Sequence, residues 1–276
     1  MDIGLTDKVV LVTGATGGLG SEMVRSFARE GAKVVIHYHQ RAEMAAQLAQ
    51  EIGSERCVVV RADLSREEDV VSLWDTSTAA LGPIEIVVAN AGVWVPDEVP
   101  IQNMTLDQWN NTMATDLTAV FLCMREFFRG IERHALVEPS VVLIGSTAAV
   151  FGEAGHADYA AAKGGLVYGF MLSLKNEIAR LASRGRVNAV CPGWTITPMT
   201  ERFANEPAIV SRALQTIPLR KVGQPTDVAS AVLFLASARL AGHLTGQMLL
   251  TSGGMEGRVL YEASEIDLDQ QSATKR

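Results

Sequence analysis

The chain is predicted to fold as one doubly wound α/β domain, a parallel Rossmann-type sheet held between two helical layers. Three observations predict this. Short Val- and Ile-rich runs alternate with longer helical patterns almost from end to end. The runs lack the alternating polarity of a half-exposed strand, as expected where both faces are covered. Strand–helix–strand repetition implies right-handed crossovers and therefore parallel pairing.

Taken in order, strands are expected at 8–12, 33–38, 56–61, 84–89, 140–145, 186–191 and 247–251. Helices are expected at 18–30, 41–52, 66–80, 106–133, 157–182 and 227–236. Residues 199–219 break the rhythm with Pro198, Pro207 and Pro218. They read as either a flap over a site or a surface helical insertion. Residues 257–276 are polar and aperiodic and read as an unstructured tail, which leaves 1–256 as the catalytic domain.

Composition narrows the function classes. The 276 residues are 48% hydrophobic with a formal net charge of −7. A negative surface repels phosphate backbones, so nucleic acid is not an expected partner. Cys57, Cys123 and Cys191 are scattered without metal-ligand spacing and read as reduced thiols, with no metal site. No signal segment or membrane-length apolar run is read, so a cytoplasmic location is expected.

Ligands on such sheets bind beyond the carboxyl ends of the strands. The first strand runs into Thr13-Gly14-Ala15-Thr16-Gly17-Gly18-Leu19-Gly20 and then a helix. Glycines let backbone approach a pyrophosphate closely, and the helix start offers free N–H groups. Gly14, Thr16, Gly18, Leu19 and Gly20 are therefore cofactor candidates. After the second strand, Tyr38-His39-Gln40-Arg41 supplies no carboxylate for a ribose 2′-hydroxyl. Arg41 and His39 suit a 2′-phosphate, so NADP(H) is favoured over the alternative, NAD(H). Asp63-Leu64 follows the third strand, where the carboxylate either meets adenine or caps the next helix. Asn90-Ala91-Gly92 follows the fourth, where small residues let backbone pass close to a cofactor.

Tyr159 and Lys163, four apart in a helical stretch, share one face. Ser146 follows a buried strand at the ligand edge. A ketone receiving a hydride must also receive a proton. Bringing a phenol from a pKa of about 10 to near 7 needs roughly 4 kcal/mol. One positive charge ~4 Å away at an effective dielectric of ~20 supplies that order of energy. Lys163 is placed to be that charge, and Ser146 to donate to the substrate oxygen.

Thr13-Gly14-x-x-x-Gly18-x-Gly20, Asn90-Ala91-Gly92, Ser146, Tyr159-x-x-x-Lys163 and Pro192-Gly193 with Thr197 together resemble the short-chain dehydrogenase/reductase family in its compact single-domain form. The likeness spans roughly 5–255. It implies Tyr159 as acid/base, Lys163 on the nicotinamide ribose and Ser146 on the substrate oxygen. It further implies Asp63 at adenine, Asn90 along the cofactor, Thr195 and Thr197 at the carboxamide and phosphate end, and a homotetramer or homodimer. Asp116 stands where the family usually has an asparagine whose carbonyl serves a proton relay. The expectation is that the relay survives with altered pH dependence. Thr251-Ser252 is a second departure, expected to matter near a subunit contact.

Trp94, Val150, Phe151, Trp194, Met199 and Phe203 are expected around the substrate. Pointing inward, they would favour an apolar or cyclic ketone or alcohol. Glu153 and His156 read as solvated loop residues. A 3-oxoacyl-[acyl-carrier-protein] reductase is the main alternative, with Arg125, Arg129 and Arg133 as a partial row for an acidic carrier. A sugar or polyol dehydrogenase is another, and a non-catalytic dinucleotide-binding regulator is the alternative outside enzymes.

Overall fold

A computed structural model describes residues 1–200 and 206–266. Seven parallel strands form one sheet: β1 (Val9–Val12), β2 (Lys33–Tyr38), β3 (Cys57–Arg61), β4 (Ile86–Ala89), β5 (Ser140–Ile144), β6 (Arg186–Pro192) and β7 (Met248–Thr251). Their order is β3-β2-β1-β4-β5-β6-β7. Strand order therefore reverses at β1. Val10 sits beside Val34 of β2 on one side and Ile86 of β4 on the other. The crevice for a ligand in such a sheet opens beyond this switch point.

The helices are α1 (Gly18–Arg29), α2 (Ala42–Ile52), α3 (Glu67–Leu81), α4 (Leu106–Met113), α5 (Ala119–His134), α6 (Thr147–Phe151), α7 (Ala157–Gly164), α8 (Met171–Leu181), α9 (Pro207–Leu214), α10 (Pro225–Ala236) and α11 (Ala238–Ala241). One core lies between the sheet and α3, α5 and α8, centred on Leu73, Phe127, Ile131 and Ile178. The other lies beneath α1, α2 and α10, with Phe27, Leu48 and Val232. The central strands are buried along their whole length, as their uninterrupted apolar runs require. Edge strand β7 departs from that pattern, and its Leu249 is exposed. Buried Arg186 crosses beneath the sheet and donates to the carbonyls of Leu235, Ala236 and Ala241, closing the ends of α10 and α11.

The two long helices expected at 106–133 and 157–182 are each interrupted. A π-helical turn, Ala114–Thr118, joins α4 to α5, and another, Gly165–Phe170, joins α7 to α8. A π turn inserts a residue without ending the helix, so the apolar stripe continues and hides it. The 199–219 segment contains α9, whose Val210 and Leu214 form a small core of their own with Ile217 and Val222. Residues 257–266 are not an unstructured tail. The backbone N–H groups of Leu260 and Tyr261 donate to Gln215 O, Tyr261 Oη donates to Pro218 O, and the Arg220 guanidinium stacks on the Tyr261 ring at 4.0 Å. Among the described residues, no helix is long and apolar enough to cross a membrane.

Candidate active site

Every strand end from β1 to β6 delivers a candidate residue to one edge of the sheet. The glycine loop between β1 and α1 leaves the helix start without a side-chain cap or an acid in its first turn. Its unpaired N–H groups and dipole are therefore open to an anion. Gly14 has φ +61°, and a Cβ there would stand 2.9 Å from Ala91 Cα. A Cβ on Gly20 would stand 2.3 Å from Gly14 O, so only glycine fits. Thr197 and Pro198 close over the loop, within 2.8 Å of where a Gly18 Cβ would be. These features fit a dinucleotide pyrophosphate.

Two residues that sequence reasoning gave no role fix this loop. Buried His37 accepts from Gly14 N at 3.0 Å through Nδ1, and its Nε2 lies 3.1 Å from Ala62 O. A carbonyl only accepts, so the hydrogen is on Nε2 and the ring is neutral. Burial first, with the nearby His39 also lowering it, puts its pKa down at about 4. Thr13 Oγ1 accepts from the backbone N–H groups of Asn90 and Ala91 at 2.9 Å each. Asn90 returns its amide to the carbonyls of Thr13 and Gly14, so its side chain braces the loop. A buried histidine in a strand carries no sequence signal that separates it from ordinary core.

At the adenosine end, Arg41 reaches Thr16 O at 3.4 Å. His39, Arg61, Asp63, Arg66, Asp69 and Ser72 line a cleft of about 350 Å³. Arg61 and Arg66 were not anticipated there. Asp63 does not cap the next helix, whose N-cap position is Arg66 and which has no side-chain cap; its Oδ1 accepts from both Ser65 N and Oγ, and the Ser65 hydroxyl is the main influence holding its pKa low. The Leu64 side chain is buried in the core. Tyr38 and Leu19 pack at the edge of the other core. At the β6 end, Thr195 Oγ1 donates to Gly193 O, and Thr197 N donates to Thr200 Oγ1.

Ser146, Tyr159 and Lys163 converge beyond β5. Ser146 caps α6, its Oγ accepting from Ala148 N at 3.1 Å. Lys163 is buried, donates to Ile144 O at 3.1 Å and lies 5.7 Å from the Tyr159 ring centre. Asp116, fully buried in the first π turn, brings Oδ2 to 3.4 Å from Lys163 Nζ and accepts from Val93 N through Oδ1. Gly92 leaves the space for this pair: a Cβ there would meet Asp116 Oδ2 at 2.9 Å and Lys163 Nζ at 3.1 Å. Burial raises the Asp116 pKa against the pull of Lys163. Burial is the largest influence on Lys163 and lowers it, but Asp116 and Tyr159 together hold the ammonium above its usual range. The phenol departs from expectation. Burial raises the Tyr159 pKa more than Lys163 and the Ser146 hydroxyl lower it, and the Asp116 charge adds to the rise.

The expected apolar substrate wall is dispersed. Trp94 stacks on His156 and donates to Glu153, a polar use of its ring. Trp194 packs into the small core under α9. Val150 is half-buried, Phe151 and Met199 are exposed, and Phe203 lies outside the described residues. Phe151 borders Gly257 of the C-terminal segment. Buried His156 is not the solvated loop residue expected. Arg125 and Arg129 are engaged within the chain, with Glu67 at 2.7 Å and Glu126 at 2.6 Å respectively.

Residues 14–256 match the family model described as Enoyl-(Acyl carrier protein) reductase. The chain is 37% identical over 257 residues to a 3-oxoacyl-[acyl-carrier-protein] reductase of Synechocystis sp., covering 91% of this chain and 98% of that protein. It is 33% identical to the 3-oxoacyl-[acyl-carrier-protein] reductase FabG of Vibrio cholerae, with the same coverage. A solved structure from Brucella melitensis, described as a short-chain dehydrogenase/reductase, glucose/ribitol dehydrogenase, superposes with a TM-score of 0.82 at 29% identity, over 95% of this chain and all of the other.

Proposed function

The chain belongs to the short-chain dehydrogenase/reductase family of NAD(P)-dependent oxidoreductases, and from that premise we propose that it reduces the ketone of a 3-oxoacyl thioester to a secondary alcohol with NADP(H). The observation that carries this reading is the convergence of Ser146, Tyr159 and buried Lys163 beyond β5, across the crevice from the glycine loop. The names of the two curated relatives favour the thioester over the apolar or cyclic ketone expected at first, and the dispersed apolar wall agrees with them.

The nicotinamide, when bound, would supply the hydride. The chain supplies the proton and the charge stabilisation. Tyr159 donates its phenolic proton to the carbonyl oxygen as alkoxide character develops, and Ser146 donates a hydrogen bond to the same oxygen. Lys163 stabilises the phenolate left behind. Asp116 acts through Lys163 as a positioning residue. Its charge keeps the ammonium protonated and the phenol in its donating form, which suits reduction. Arg41, His39 and Arg61 around the adenosine end support a 2′-phosphate. Since Arg125 and Arg129 are paired in the chain, thioester recognition is assigned to the pocket rather than to that row. Exposed Phe121, Tyr168 and Leu172, on and near α5 and α8, support self-association.

The test is loss of reduced-nicotinamide absorbance with a 3-oxoacyl thioester, under NADPH and NADH separately. Turnover with a preference for NADPH is expected. Tight NADPH binding without turnover of this thioester or any panel ketone would instead favour a non-catalytic regulator.

A further inference from the structure

Between Ser146 and Tyr159 the chain builds a polar cluster that the proton transfer above does not use. Buried His156 stands at the N-terminal cap of α7, with Nε2 2.9 Å from Val95 O. A carbonyl oxygen only accepts, so Nε2 carries hydrogen. In the neutral ring Nδ1 is then a bare acceptor, and it is buried without a hydrogen-bond partner. It faces Glu153 Oε1 at 3.4 Å. That oxygen also takes the Trp94 indole N–H at 3.2 Å, while the indole stacks on the imidazole with ring centres 4.9 Å apart.

The carboxyl, the imidazole and the indole thus form one polar cluster between Ser146 and Tyr159. Trp94 and His156 both engage Oε1, and the Glu153 side chain as a whole is 34% exposed, so the carboxyl keeps room to accept a further hydrogen bond. Burial is the main influence raising the Glu153 pKa, with the Glu98 charge adding to it and His156 opposing. The Glu153 charge is felt at the Tyr159 phenol, so the carboxyl stands within electrostatic reach of the reacting group.

Resting on the ketone–alcohol reading above, we propose that Glu153 determines specificity: a carboxyl oxygen accepts a hydrogen bond from an O–H or N–H group carried by the substrate near the reacting carbonyl. A purely hydrocarbon substituent at that position would strip water from the oxygen and return nothing. Such a donor has two natural sources, the hydroxyl of a hydroxyketone and the amide N–H of a thioester arm.

Two substrate pairs separate them: hydroxyacetone against butanone, and the N-acetylcysteamine thioester of 3-oxobutanoate against its ethyl ester. Glu153→Met removes the acceptor at similar volume, and Glu153→Gln keeps an oxygen. For the donor-bearing member of one pair, Glu153→Met should raise KM about tenfold with kcat within about threefold, and Gln should recover most of the loss. The donor-free member should keep its KM or lower it, because Met leaves no oxygen to be stripped of water. Equal effects on both members, or no effect on either pair, would overturn the proposal. NADPH affinity should match wild type. If the Met variant fails to fold, Glu153→Ala, which leaves room for water on Trp94, carries the same expectation. Wild-type protein that binds NADPH yet reduces none of the four removes the ketone–alcohol reading itself, and this proposal with it.

Discussion

Tyr159 is pulled both ways by its surroundings, and Asp116 is the influence that a single substitution isolates. Burial and the Asp116 carboxylate raise the phenol, while Lys163 and Ser146 lower it. Asp116→Asn removes one raising influence, so the phenol's pKa moves down. Alcohol oxidation needs the phenolate as base, so its rate in the variant should reach a plateau at lower pH than in wild type. An unchanged alkaline limb in the oxidation profile would deny the carboxylate this influence. Tyr159→Phe should lower kcat about 10³-fold while leaving NADPH affinity intact. His37 gives a second residue-scale prediction, on stability. Unfolded histidine takes up a proton near its ordinary value of 6.5, whereas folded His37 resists until about 4. Protons thus bind the unfolded chain first, and stability falls as pH drops through that window, by about 3 kcal/mol from this one group. Urea unfolding at pH 7 and pH 4.5 should show His37→Asn losing less stability than wild type over the interval. Parallel losses would mean that the Gly14 N–H bond to His37 does not govern the effect.

At the scale of elements, what a sequence shows depends on whether the feature has a period. The seven strands and the glycine loop were legible because buried strands and phosphate turns impose composition over several residues. Ser146, Tyr159 and Lys163 were legible because a strand end and a helical spacing place them. The turn at Ala114–Thr118 was not, because its apolar residues continue the helical stripe on either side. The nearness of Asp116 to Lys163 was legible only through the family resemblance, and its bond from Val93 N was not legible at all. Glu153 and His156 failed for a related reason, since only the loop after β4, carrying Trp94 and Val95, buries them. The phosphate loop offers a direct test at this scale. Gly20→Ala would drive a methyl into Gly14 O, so the loop must move. NADPH affinity should fall at least tenfold by fluorescence titration, with a smaller effect on melting. Wild-type affinity in that variant would show that the loop adjusts freely.

The whole molecule divides into a sheet with two large cores and a smaller assembly across its ligand edge. That assembly is α9 with its own four-residue core, capped by the segment from 257 to 266. Among the described residues the segment meets α9 and the turn after it through Leu260 and Tyr261 on Gln215 O, the Gln215 amide on Tyr261 O, Tyr261 Oη on Pro218 O, Arg220 on the Tyr261 ring, and Ile266 against the small core. Local stability follows local contact, so this unit should open at a lower free energy than the sheet. Tyr261→Ala removes the ring and the hydroxyl together while leaving both large cores untouched. Amide exchange in residues 206–219 should accelerate severalfold, while exchange in β1, β4 and β5 should hold at wild-type rates. Uniform acceleration across sheet and α9 alike would mean instead that the C-terminal segment is integral to the global fold, and that the substrate edge has no independent stability to regulate.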